Sequence, residues 1–429
     1  MYPHALRAFA SRDFRVVWTA AVVSSSGTQM QLAALGWVVA LLTESATKVG
    51  LIAFAGVVPL VLLSPVGGSL ADRFPRRQLL LVVQTLQLAQ AVTLWVTWVA
   101  GVRSFWVLFL LAAFGGATTA LAAPVWQSFI PSLVPRRDLQ NAVMLNSTQF
   151  NIAKALGPVA AGLLLVNTAG AGWCFLINAV SFGAVLVALA IVGDAPLVRR
   201  DDGASKGFWH DFVEGVRYVR RDPGLRTAIS VNSFVAFVGQ PLVPLLPIVA
   251  LEMFHASALE FGILAGSFGI GAILGAVLTG WLDGRRVPSG ILGVGATVYA
   301  ASIVLLAASP GFAAGVASVV GVGAGFLTVI ATNNSAIQHL SSDEMRGRVV
   351  GIWLTTFGIF NPVGLLAQGV LADAVGIRAV LVADGILLLA FFAYVRVSRR
   401  LRTLDTDEAL RNVATPTPIA PDPASMQTP

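Results

Sequence analysis

Charge is scarce in this chain. Asp, Glu, Lys and Arg supply 11% of its 429 residues, while 56% are hydrophobic. An ordinary soluble domain carries about 25% charged residues. A water-soluble fold of this length could not bury so much apolar side chain, so a soluble enzyme or binding module is excluded. Cysteine is nearly absent, and Cys174 has no partner, which rules out a disulfide framework. The four histidines, His4, His210, His255 and His339, are too scattered to form a metal set. No Gly-x4-Gly-Lys-Ser/Thr loop occurs, so ATP hydrolysis of the P-loop kind is not available. Gly269-Ile270-Gly271 and Gly321-Val322-Gly323-Ala324-Gly325 lie inside apolar stretches with no preceding strand, which suits close helix packing and not a nucleotide. No cofactor, metal or catalytic residue is expected. Nor is a cleavable signal, because the N-terminus is polar through Arg15 and the apolar run after it is too long.

What is present is a succession of apolar runs. Twelve are long enough to cross ~30 Å of hydrocarbon. They fall near 16–42, 47–70, 77–100, 104–131, 140–167, 171–193, 226–253, 259–283, 288–308, 312–339, 347–371 and 377–396. The predicted fold class is an all-α membrane protein. Proline inside the runs (Pro59, Pro65, Pro124, Pro158, Pro244, Pro362) is compatible with this, since neighbouring helices can re-satisfy the freed backbone groups. Of the 28 basic residues, only Lys48, Arg103 and Arg378 fall after odd-numbered spans, and Lys154 lies within span 5. The remainder occupy the N-terminal arm, the even-numbered loops and the C-terminal segment. By the positive-inside rule both termini belong in the cytoplasm. The net charge of +7 is therefore divided among separate loops, which argues for a bilayer and against nucleic acid as the partner.

The expected organisation is two six-span bundles, 1–194 and 226–403, with a linker at 195–225 and a tail at 404–429. Phe208, Phe212, Val216 and Val219 recur at helical spacing in the linker, predicting an amphipathic helix on the inner membrane face. The tail is polar and rich in proline, so disorder is expected. A shift of 207 residues aligns Ser128 with Ser335, Phe150 with Phe357, Gly157 with Gly364 and Gly162 with Gly369. Spans 4–5 thus repeat in spans 10–11, as in transporters built from two parallel repeats.

The most specific motif sits between spans 2 and 3: Gly68-Ser69-Leu70-Ala71-Asp72-Arg73-Phe74-Pro75-Arg76-Arg77. A weaker echo, Gly280-Trp281-Leu282-Asp283-Gly284-Arg285-Arg286, follows span 8, with Asp283 displaced by one residue. With Ser26-Gly27-Thr28-Gln29-Met30-Gln31 in span 1 and Met345-Arg346-Gly347-Arg348-Val349 before span 11, the chain resembles a major facilitator superfamily transporter. Within it, the chain resembles the drug and siderophore exporter branch that includes the enterobactin exporters, the transmembrane secretion effectors. The resemblance implies two pseudo-symmetric six-helix bundles. It also implies a conformational latch in which Gly68 lets span 11 approach and Asp72, among Arg73, Arg76 and Arg77, faces the start of that span. Asp72 balancing the arginines is the plainer reading. Pro75 stands where many relatives carry Gly or Asp. Gly157-Pro158-Val159-Ala160-Ala161-Gly162 resembles the Gly-Pro motif of antiporters, and Pro158 is expected to bend span 5.

Polar residues inside the spans are the remaining candidates for a substrate or coupling site. Ser147, Asn151 and Lys154 share one helical face, which should look into the bundle because a charge at mid-membrane is costly. Lys154 could bind a carboxylate, carry a proton, or cap carbonyls. Asp384 in span 12 could be a proton site or a structural acid. Gln29 and Gln31 point to different faces of span 1. Asn232 and Gln240 share a stripe on span 7, and Asn361 is the repeat counterpart of Lys154. Each could equally be an interhelical hydrogen bond.

The expectation is a secondary-active exporter of amphipathic drug-like or siderophore-like molecules, monomeric, working by alternating access with protons as coupling ion. An uptake carrier or lipid flippase of the same fold is the alternative, and a non-transporting sensor a more distant one. Arginine outnumbers lysine 25 to 3, which points to a GC-rich bacterium and its cytoplasmic membrane.

Overall fold

In hydrocarbon every backbone amide must find its partner inside the protein, and long apolar segments do so as helices. A computed structural model describes residues 4–166, 169–193, 208–283 and 285–405. These fold into helices with no strand among the described residues: α1 (Arg12–Thr43), α2 (Ala46–Arg73), α3 (Arg76–Val99), α4 (Phe105–Phe129), α5 (Leu139–Leu164) and α6 (Gly170–Ile191), then α7 (Phe208–Arg221), α8 (Pro223–Phe234), α9 (Leu242–Ile248), α10 (Ala258–Leu282), α11 (Pro288–Ala307), α12 (Phe312–Leu340), α13 (Arg346–Val375) and α14 (Ile377–Val397). The last residue of the first bundle, 194, the first part of the linker, 195–207, and the tail from 406 lie outside the described residues. The tail's first two positions are ordered: Leu404 is buried, and the Asp405 carboxylate accepts from the Ser289 amide and hydroxyl at 2.8 and 2.7 Å, capping α11.

Among the described residues ten segments are long and apolar enough to span a membrane, where twelve were expected. The two that fall short are α1 and α5, of 32 and 26 residues. Their length suffices, but they carry the polar side chains: the serine and glutamine cluster in α1, and Asn141, Asn146, Asn151 and Lys154 in α5. Both pack against each other and against neighbouring helices.

The 207-residue repeat is visible in the element boundaries. Phe105 and Phe312, Leu139 and Arg346, and Gly170 and Ile377 each begin corresponding helices. Packing repeats as well. A methyl on Gly157 would meet Gln29 and Met30 of α1, and one on its counterpart Gly364 would meet Phe237 in the segment after α8.

Span 7 is broken into α8, a π-helical turn Val235–Gly239, α9 and a second π turn Val249–Met253. Pro241 has no N–H for the Phe237 carbonyl four residues back. Gln368 of α13 supplies the missing donor, its amide reaching the Phe237 and Val238 carbonyls at 3.2 and 2.6 Å. The linker helix α7 docks on protein: Gly215 sits against Ile352 and Arg348 of α13, and Glu214 pairs with Arg348 at 2.9 Å.

Candidate functional site

Two seams join the halves of the molecule, α2 with α13 and α5 with α10, and each closes at one end only. Along α2 and α13, which run antiparallel, a Cβ on Gly369 would lie 2.9 Å from the Ala46 carbonyl, and one on Gly50 would lie 3.1 Å from that of Leu365. Farther along, a Cβ on Gly358 would still meet Val61, but Gly68, Gly347 and Gly351 would meet nothing within 4 Å. The α5–α10 seam behaves alike. A Cβ on Gly162 would lie 2.8 Å from the Gly262 Cα, and one on Gly269 would lie 2.6 Å from the Ala155 Cα, whereas Gly280 faces open space. Trp37 of α1 stacks on Phe261 of α10 with ring centroids 4.9 Å apart, plugging the closed end. A cleft between the halves is therefore open at the arginine-rich end and sealed at the other.

Lys154 stands where the second seam closes. On α5, Gln149, Ala153 and Gly157 are buried, Gln149 and Gly157 against α1, while Ala155, Val159 and Gly162 meet α10. Leu163 lies nine residues beyond Lys154, about half a turn around the helix, and it is exposed on the outer, lipid-directed side with Leu156. Lys154 thus occupies the face between the two contact stripes, with the exposed Ser147 and Phe150. Among the described residues it has no ion-pair partner. Asn151 turns back to the Ser147 carbonyl at 3.2 Å. An unpaired ammonium beside apolar and hydroxyl-bearing side chains at the head of a cleft can attract an anionic group on an amphipathic guest.

The other anticipated positions lie elsewhere in the helix packing. Gln29 lies against Gly157 at the α1–α5 crossing. Gln31 is buried, donating to Gln90 at 3.2 Å and accepting from Asn178 at 2.9 Å, so it ties α1 to α3 and α6. Asn232 is fully buried and donates to the Trp353 carbonyl and Thr356 hydroxyl of α13. Gln240 ends the first π turn, its backbone N–H reaching the Val235 carbonyl at 2.9 Å. Asn361 is buried within α13. Asp384 is buried on α14, and its neighbour Gly385 packs on Val304 of α11, away from the cleft. α5 continues as helix through Pro158, whose carbonyl faces Gly262.

The motif between α2 and α3 divides in two. Arg77 donates to the Leu189 and Ala190 carbonyls at the end of α6, and Arg76 to the Ser128 carbonyl near the end of α4. These are C-terminal caps, where a cation also suits the helix dipole. Gly68 faces open space, Arg73 is exposed, and the side chain of Asp72 lies outside the described residues.

Sequence reasoning missed the residue that fastens the closed end. Asp373, near the end of α13, accepts from the Ser45 hydroxyl at 2.7 Å and from the Ala46 and Thr47 amides at 2.6 and 3.1 Å. Those amides are orphan donors of the α2 N-terminus, so one half of the protein caps a helix of the other. The corresponding start of α10 is capped from within, by the Ser257–Glu260 capping box. Ser45 before an apolar run is a legible N-cap signal, but nothing local connects it to an acid more than 300 positions away.

A family model described as transmembrane secretion effector matches residues 4–422. Macrolide efflux protein A of Streptococcus pyogenes is 23% identical over 81% of this chain and 86% of its own length. Multidrug efflux pump Tap of Mycolicibacterium fortuitum is 25% identical over the same shares, and enterobactin exporter EntS of Salmonella typhimurium is 24% identical over 72% of this chain and 71% of its own. Among solved structures, a bacterial homolog of the human lysosomal transporter Spinster, inward-facing and unoccupied, superposes with a TM-score of 0.73 at 16% identity, covering 95% of this chain and 99% of that one. A bacterial homologue of the iron transporter ferroportin, also inward-facing, gives 0.69 at 16% identity over 89% and 98%. The chain has the major facilitator fold and belongs to the transmembrane secretion effector family of membrane transporters.

Proposed function

We propose that this protein is a secondary-active exporter of amphipathic small molecules in a bacterial cytoplasmic membrane, working by alternating access. The observation that carries the proposal is the one-ended closure of the two seams, with Lys154 at the head of the open cleft. The arginine-rich end faces the cytoplasm by the positive-inside rule, so the cleft takes its substrate from the cytoplasm or inner leaflet. α1 and α5, too polar to count by hydropathy, complete twelve spans because their polar faces are turned to protein and to the cleft. Export is supported by the efflux relatives, which are named for efflux or export; proton antiport rests on the likeness of the Gly157-Pro158 segment to the Gly-Pro motif of antiporters, and the chemistry of the substrate is unchanged by its passage. When the bundles rock, the outer seams part, the Asp373 cap on α2 breaks, and Gly68 and Asp72 of α2 meet the start of α13 as the inner latch. The protein works as a monomer, with the cleft formed within one chain.

Efflux of a panel of dyes and antibiotics from cells producing the protein tests this, beside Asp72→Asn and Lys154→Ala and with a protonophore. Efflux that the protonophore stops and both substitutions reduce at equal membrane abundance is the expected result. Accumulation of the compounds, or efflux indifferent to the protonophore, would overturn export or proton coupling respectively.

A further inference from the structure

A second cleft lies outside the space between the halves. It opens at the arginine-rich end of the second half, where α7, α8, α13 and α14 meet, and encloses about 670 Å³. Three arginines converge on it from separate elements: Arg220 from the end of α7, Arg226 from the first turn of α8, and Arg400 just beyond α14. None has an acidic partner among the described residues, and no acidic side chain lines the cleft. Arg400 is held over the Tyr394 ring at 5.2 Å, which keeps its guanidinium at the mouth.

Behind the arginines the walls turn apolar, with Phe212, Val216, Phe391 and Ile359. Ile359 lies 13 residues into α13, about 20 Å from its start at 1.5 Å per residue, and it is 51% exposed. The cleft thus runs from the level of lipid head groups deep into one leaflet, with cationic groups only at its polar end. Its volume is that of a site for a drug-sized molecule (~300–1,000 Å³), far beyond what one inorganic phosphate fills.

We propose that this cleft is a binding site for an anionic phospholipid of the leaflet at the arginine-rich end. The three arginines hold the phosphate, and an acyl chain lies along Val216, Ile359 and Phe391. The walls include the linker helix and α13, so an occupied cleft braces the element that forms one side of the moving seam.

The test uses the purified full-length protein in detergent, with retained lipid counted by native mass spectrometry. Phosphatidylglycerol should be retained at least tenfold better than phosphatidylcholine. Replacement of all three exposed side chains, Arg220→Gln, Arg226→Gln and Arg400→Gln, should bring it down to the phosphatidylcholine level. Three juxtamembrane arginines together are worth on the order of a hundredfold in affinity for an anionic surface. Arg7→Gln, Arg136→Gln and Arg137→Gln make the same charge change elsewhere and should leave retention unchanged. Ile359→Trp keeps the arginines but fills the apolar part, and it should also release the lipid. Equal retention of both lipids, or full retention by the arginine variant, would overturn the proposal. Displacement by millimolar inorganic phosphate would mark a free-anion site instead, and loss in the Arg7, Arg136 and Arg137 variant would mark general surface charge.

Discussion

Removing the Asp373 carboxylate should release the closed end. In Asp373→Ala the Ala46 and Thr47 amides and the Ser45 hydroxyl lose their acceptor. Loss of a helix N-cap costs about 0.5–2 kcal/mol, and loss of an anion at a helix N-terminus about 0.3–1 kcal/mol. Asp373 is exposed, so solvent recovers part of this, and about 1–2 kcal/mol is the reasonable total. That energy is specific to the conformation in which α2 and α13 touch. It therefore moves the equilibrium toward opening of this end by roughly 5- to 30-fold, since 1.4 kcal/mol is a factor of ten. Spin labels at Ala100 and Ala308, exposed at the same end of the two halves, would report the shift as a growing long-distance population in pulsed dipolar spectra. The buried Cys174 is replaced by Ser to keep labelling specific. Glu260→Ala is the matched control: it removes a cap of the same kind within one half and should leave the distances alone. Identical distance distributions for Asp373→Ala and the wild type would refute the reasoning, as would an equal shift in Glu260→Ala.

Three other outcomes are expected. Lys154→Gln should weaken transport of anionic or zwitterionic compounds while leaving the apparent melting temperature unchanged or raised, because no described partner is orphaned and a costly intramembrane charge disappears; transport assays beside thermal-shift curves check this. Gly162→Val should force α5 from α10, where even a methyl would lie 2.8 Å from the Gly262 Cα, at about 1–3 kcal/mol of overpacking, read as a lowered melting temperature together with easier labelling at the outer end. Gln368→Leu leaves the Phe237 and Val238 carbonyls without their donor. At about 1–3 kcal/mol for buried polar groups left unsatisfied, it should destabilise the protein in thermal unfolding, more than Gln338→Leu, whose exposed side chain bonds Asn334 on its own helix.

Much of the fold was legible because its causes are local or periodic. Apolar run length set where the helices lie to within a few residues, and the 207-residue shift marked the repeat that the starts of α4, α5 and α6 share with α12, α13 and α14. The Ser147–Asn151–Lys154 face could be read from the helical period alone, and α5 does present it between its two contact stripes. Hydropathy failed where polar side chains are turned to other helices: α1 and α5 are too polar to register as spans because those side chains meet protein or the cleft instead of lipid.

Other roles depend on pairings that no local signal carries. Gln31 and Gln29 are two residues apart, yet one enters an amide network with Asn178 and Gln90 and the other lies at the Gly157 crossing. Arg76 and Arg77 read as topology signals and turn out also to cap α4 and α6. The sequence by itself determined the class of solvent, the helices, the repeat and the charge asymmetry, since each depends on composition or spacing along one segment. Only the tertiary structure decided which end is sealed, that Asp373 caps a helix of the other half, and that three arginines from separate elements meet over one apolar cleft. Those are contacts between groups far apart in the chain, and the packing of whole helices brings them together.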